Sequence, residues 1–160
     1  MRKNEESHCP AQKMYSILIF RVSMHHIVTE AAISELVDSF YGKIRDDQLL
    51  GPIFFDAIGD NWGPHLAKMK TFWSSVILAS RTYKGNPMMV HLQLPRLRRV
   101  HFERWLHLWR ETVAEVCSED VGGLFVEKAE MIGQRFLYAI SMYHQSIARE
   151  EAVDAAPRAV

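Results

Sequence analysis

The feature that most constrains this sequence is a spacing. Ile33, Leu36, Val37, Phe40, Tyr41 and Ile44 fall on one face of a helix. The pattern returns in His65, Met69, Phe72, Trp73, Val76 and Ile77, and again in Phe102, Trp105, Leu106, Trp109, Val113 and Val116. A last stripe holds Phe125, Ala129, Ile132, Phe136, Ile140 and Tyr143. No run alternates apolar and polar residues over the length of a strand. A helix with one apolar face has to bury it against a neighbour. Four such helices predict an all-α domain.

Local signals place the ends of these helices. Thr29 suits an N-cap, with Glu30 in the first turn where a carboxylate meets the positive end of the helix dipole. Leu49-Leu50-Gly51-Pro52 reads as the stop of the first helix. The second helix is expected from near Asn61, because Pro64 is tolerated in a first turn. It is expected to end before the turn-forming run Lys84-Gly85-Asn86-Pro87. A short helical segment then runs from Pro87 to Leu94, capped by Asn86 and interrupted by Pro95. The last helix begins after Ser118-Glu119-Asp120, where Gly122 and Gly123 each weaken the first turn by ~1 kcal/mol relative to alanine. The resulting division is an N-terminal extension over 1–28, a helical domain over 29–149 and a flexible tail over 150–160.

Composition narrows the classes of function. The chain has 160 residues, enough for one domain with a real core. Lys plus Arg equals Asp plus Glu at 19 each, which leaves no electrostatic footprint for nucleic acid or an anionic membrane. The longest apolar stretch near the start, Ile17 to Phe20, is too short for a membrane span or a secretory leader. Cys9 and Cys117 form no Cys-x-x-Cys pair, and two isolated thiols suit a reducing, cytoplasmic setting. No His-Glu-x-x-His, phosphate-binding glycine loop or Gly-x-Ser-x-Gly elbow is present.

Polar groups on apolar faces are the remaining chemical signal. His65 shares a face with Met69, Phe72 and Trp73, so its imidazole points inward and needs a partner. His91 lies in a short turn between two prolines. Tyr41 carries a hydroxyl into the stripe of its helix. Taken alone, these residues fit a satisfied core histidine, a surface-loop histidine and a boundary tyrosine better than they fit a ligand set. Trp73, Trp105 and Trp109 fit core filling. The residues by themselves identify no cofactor.

Seven strings in fixed order carry more. They are Phe40-Tyr41, Leu50-Gly51-Pro52-Ile53-Phe54, Trp62-x-x-His65-Leu66, Phe72-Trp73-Ser74-Ser75, Tyr83-x-Gly85-Asn86-Pro87-Met88, His91-x-x-Leu94-Pro95 and His101-Phe102-x-x-Trp105-Leu106. Together they resemble the group III, or P-type, truncated haemoglobins from about Ile33 to Ile140. The resemblance implies a truncated globin fold, a two-over-two helical sandwich around a haem b (iron protoporphyrin IX). It makes His91 the proximal iron ligand, Tyr41 and His65 the distal pair, and Trp105 a wall of the cavity. Phe40, Met69 and Trp73 fall at pocket or adjacent packing positions. One of Arg96, Arg98 and Arg99 could meet a haem propionate, or all three could form a solvated turn. The N-terminal lead-in and Gly122-Gly123 depart from the family pattern.

The function implied is reversible binding of dioxygen, nitric oxide or carbon monoxide by a monomeric chain. Nitric oxide dioxygenase or peroxidase-like chemistry with an unidentified reductase is an open extension. A haem-based gas or redox sensor acting through a protein partner is the alternative, and a helical interaction module without haem is a third.

Overall fold

The computed structural model describes residues 24–94 and 97–154, the last four by backbone alone. Among the described residues six helices follow one another: α1 Glu30–Asp46, α2 Gly51–Ile58, α3 Trp62–Ile77, α4 Pro87–Leu92, α5 Arg99–Val116 and α6 Glu119–Asp154. Among the described residues the one β-type pairing is an isolated bridge between His25 and Cys117. No described helix is long and apolar enough to cross a membrane.

The caps lie where the side-chain chemistry puts them. Thr29 Oγ1 accepts the Ala32 N–H at 3.1 Å, and Asn86 Oδ1 accepts the Met89 N–H at 3.2 Å. Each satisfies a donor that the first turn would otherwise leave open. Gly51-Pro52, expected only as a stop, also opens α2, with Pro52 in a first-turn position that needs no N–H. Asp47 organises this corner. Its Oδ1 accepts the N–H groups of Leu49 and Leu50, and its Oδ2 accepts Arg104 Nε from α5 at 2.7 Å.

Packing produces two crossed layers. α1 packs on α3 and on α5, α5 packs on α6, and α3 also meets α6. The core sits where α1 meets α5: Ile33, Leu36, Val37, Phe40, Ile44 and Trp109 are fully buried. Each large apolar side chain among them stabilises the fold by roughly 1.5–3 kcal/mol of burial. Gly122 is required at the α5–α6 junction, because a Cβ there would come within 2.8 Å of Val113 Cγ1. The glycine that weakens the first turn of α6 thus lets the two helices approach.

Two stripes are less buried than their spacing suggests. On α3 only Trp62, Trp73 and Ser74 are buried, while Met69 and Phe72 face a cavity instead of a packed core. Tyr143, expected inward, is 43 % exposed. α6 continues through Glu150 to Asp154, so the expected tail begins as helix. Most of the N-terminal extension with Cys9, the Pro95-Arg96 pair and the end of the tail lie outside the described residues.

Candidate functional site

The sandwich leaves a cavity between its layers. It holds about 1260 Å³ not filled by protein atoms, counting its open mouth. Tyr41 from α1, His65, Met69 and Trp73 from α3, His91 from α4 and Trp105 from α5 all line it. Six of the seven residues singled out from the sequence therefore share one space. The seventh, Phe40, stands behind the wall. It is fully buried and meets the rings of Tyr41, Trp105 and Trp109 edge-on at 5.2, 5.5 and 4.9 Å.

Hydrogen bonding separates the histidines. His91 Nδ1 lies 2.7 Å from the Pro87 carbonyl. A carbonyl only accepts, so Nδ1 carries the proton and Nε2 keeps its lone pair. The His91 ring also packs against Phe136, with centroids 4.5 Å apart. His101 lines the same cavity but has the opposite tautomer: its Nδ1 accepts the Arg98 N–H at 3.0 Å, so the proton sits on Nε2. Of these two rings, only His91 presents a free Nε2 lone pair. Burial depresses the pKa of His91, partly opposed by the Pro87 contact, and it depresses that of His101 with help from the Arg98 charge. Both rings are held in the neutral form.

The α1–α3 side differs. His65 Nε2 is buried without a hydrogen-bond partner. Burial lowers its pKa, followed by the charges of Lys68 and His91. Its ring lies edge-on to Tyr41 at 5.1 Å and to Trp62 at 6.3 Å. Trp62 Nε1 is likewise buried and unpartnered, and the Arg45 guanidinium covers the Trp62 ring at 4.3 Å. Burial raises the Tyr41 pKa far above its ordinary value, so its hydroxyl keeps its proton. The set offers an imidazole of fixed tautomer with a free Nε2 on His91, and an imidazole tied to no partner on His65, around an apolar cavity.

Comparison with known proteins decides what this arrangement belongs to. The chain is 35% identical over 119 residues to the group 3 truncated hemoglobin ctb of Campylobacter jejuni subsp. jejuni, covering 72% of this chain and 94% of the relative. It also superposes on the crystal structure of a group III truncated hemoglobin from Campylobacter jejuni, with a TM-score of 0.71 and 34% identity. That match covers 73% of this chain and 94% of the other. The chain is a group III truncated haemoglobin. No protein-family model matches it.

In this truncated haemoglobin the expected all-α two-over-two fold is present. The family implies a haem, and the donor set fits one: an apolar cavity, a neutral imidazole with a free Nε2 and an unpartnered buried nitrogen on another wall. Arg98 and Arg99 are exposed in the chain between Leu97 and His101, which line this cavity. Sequence reasoning gave no role to His101 or Tyr83, and read Phe136 only as core. For His101 a signal existed, since it is the third residue of α5, where a side-chain acceptor can reach back to the cap N–H.

Proposed function

We propose that this truncated haemoglobin holds a haem b in the cavity through His91 Nε2. On this reading it binds dioxygen, nitric oxide or carbon monoxide on the side lined by Tyr41, His65 and Trp105. The observation that carries the reading is the His91 tautomer. The Pro87 carbonyl ties Nδ1–H and leaves Nε2 basic on a fixed ring that lines the cavity, the arrangement that orients an imidazole for a metal. Haem supplies a site where a diatomic ligand takes on partial negative charge. The chain supplies the rest. Tyr41 keeps its proton and offers an O–H to that charge, which slows escape of the ligand. His65 brings a buried nitrogen without a protein partner, which a ligand would satisfy. Met69, Phe72 and Trp73 exclude water and strengthen each polar contact. Fixed donors aimed at developing charge also favour redox chemistry on nitric oxide or peroxide, with an external reductase restoring the ferrous state.

The test is optical. Protein purified with haem is expected to show a Soret band, and its reduced form a five-coordinate spectrum that binds carbon monoxide. His91→Ala is expected to abolish or strongly alter that spectrum. An unchanged spectrum removes His91 as the ligand, and a protein that takes up no haem removes the reading.

A further inference from the structure

One wall of the cavity runs inward into an arrangement that gas binding by itself does not explain. Trp105, Trp109 and Trp73 form offset, near-parallel stacks. Trp105 and Trp109 are 5.8 Å apart with planes 5° from parallel, and Trp109 and Trp73 are 4.4 Å apart at 15°. Trp105 and Trp73 touch the cavity, while Trp109 is wholly buried between them. The series continues from Trp73 to Phe72 at 5.6 Å and from Phe72 to Tyr83 at 5.2 Å. Tyr83 is half-buried at the rim. Its phenol occupies the space a Cβ would need at Gly85, so the glycine admits the ring there.

Offset parallel indoles fill a core well, and three of them in series can do more than fill it. They are a good device for one-electron oxidation. Indole is the most easily oxidised neutral ring available, and a cation between two indole faces is stabilised by both quadrupoles. The Trp109 N–H is held by the Phe125 carbonyl at 3.2 Å. A carbonyl does not take the proton, so a hole on Trp109 stays a cation radical and moves as an electron alone. Tyr41 is a poor competitor: it is buried, and oxidation of a phenol requires a place for its proton. Tyr83 reaches solvent and has one.

We propose that the Trp105–Trp109–Trp73 stack carries oxidising equivalents from the cavity to Tyr83, making the rim an oxidation site for small phenolic reductants. The proposal rests on the haem reading above. The oxidant is hydrogen peroxide, whose O–O bond breaks as it takes up two electrons and two protons to give two waters. A bound haem would supply one of these electrons and Trp105 the other, and solvent would supply both protons. Electrons then pass from Trp109 to Trp105, from Trp73 to Trp109, and from Tyr83 to Trp73 across the Phe72 ring. Tyr83 releases its phenolic proton to solvent and ends as a neutral tyrosyl radical. A phenol donates a hydrogen atom to restore Tyr83, and a second phenol would replace the electron supplied by the haem and release a proton to solvent. The sum is one peroxide and two phenols giving two waters and two phenoxyl radicals.

The experiment mixes the ferric haem protein with hydrogen peroxide, freezes it at increasing times and records the electron paramagnetic resonance spectrum. Wild-type protein is prepared with ring-deuterated tryptophan, and separately with ring-deuterated tyrosine. The early signal is expected to narrow with labelled tryptophan and the later one with labelled tyrosine. Tyr83→Phe is expected to abolish the later signal and prolong the early one. Trp109→Phe is expected to suppress the tyrosyl signal. An early signal indifferent to tryptophan labelling overturns the relay. So does a tyrosyl signal that survives Tyr83→Phe, or one undiminished in folded Trp109→Phe. Should Trp109→Phe fail to fold, the labelled wild type and Tyr83→Phe decide. A colourless protein overturns the haem reading and the relay together; a coloured protein without an aromatic radical overturns the relay alone.

Discussion

On the α4–α5 side of the cavity, both histidines have a ring nitrogen tied to the backbone: His91 to the Pro87 carbonyl and His101 to the Arg98 N–H. On the α1–α3 side, His65 lines the cavity with its Nε2 buried and tied to nothing, and Trp62 Nε1, which does not line the cavity, is likewise unpartnered. The first side has settled its hydrogen bonds, so its rings have one tautomer and one direction. The second carries unmade bonds, each costing about 1–3 kcal/mol relative to a satisfied group. That contrast suits two tasks. A permanent ligand has to be fixed before the metal arrives, whereas groups meant for a transient ligand have to be left unfilled by the protein.

The largest expected effect breaks the fixed side. Replacing the imidazole, His91→Gly, is expected to weaken haem retention by more than the roughly 100-fold seen when an outer-shell partner of a metal ligand is lost. Added free imidazole is expected to restore the spectrum, because the space and the Pro87 carbonyl remain. Haem transfer to a scavenger protein measures the first effect and titration with imidazole the second. Retention equal to wild type would mean that the two sides do not differ as argued. Next in size is Tyr41→Phe. A hydrogen bond to a charged partner contributes about 1.5–3 kcal/mol, so dioxygen dissociation is expected to accelerate by about tenfold or more. Stopped-flow displacement by carbon monoxide reads that rate, and an unchanged value takes Tyr41 out of the ligand cage.

The contrast was only partly legible in the sequence. The four main helices followed from spacing alone, because amphipathic periodicity is local and each stripe is long. The Thr29 and Asn86 caps were legible for the same reason: a cap is a contact between near neighbours. α2 was missed because Gly51-Pro52 ends one helix and opens the next, and the two signals overlap. His91 lies in six residues of helix with no stripe to orient it, so its direction came from the packing of α4 on α6 and from family resemblance. The difference between His91 and His101 depends on which backbone atom each ring meets. No spacing rule encodes that. The missing partners of His65 and Trp62 are likewise properties of the assembled walls.

A smaller effect sharpens the open side. In haem-free protein, His65→Leu removes a buried nitrogen that has no partner and puts an apolar side chain beside the Tyr41 and Trp62 rings. Unfolding free energy is expected to rise by ~1 kcal/mol, since deleting an unsatisfied polar group recovers its desolvation cost. Urea titration measures it, and a loss of stability would show that His65 makes a bond in solution.

The smallest effect is the pH dependence of that same haem-free protein. His65 has a folded pKa below its ordinary value of 6.5, through burial first and then the neighbouring Lys68 and His91. As the pH falls past 6.5, the unfolded chain binds a proton that the folded chain refuses. Stability rises with pH wherever the unfolded state holds more protons, so it declines on acidification from just above 6.5 and levels off below the depressed folded value. His91 and His101 act in the same direction, because burial depresses both. His65→Leu is therefore expected to make the decline shallower without abolishing it. Urea midpoints taken across that window for both proteins give the comparison. Equal slopes would mean that His65 takes up its proton as readily when folded as when unfolded, and that the α1–α3 wall leaves it in contact with water.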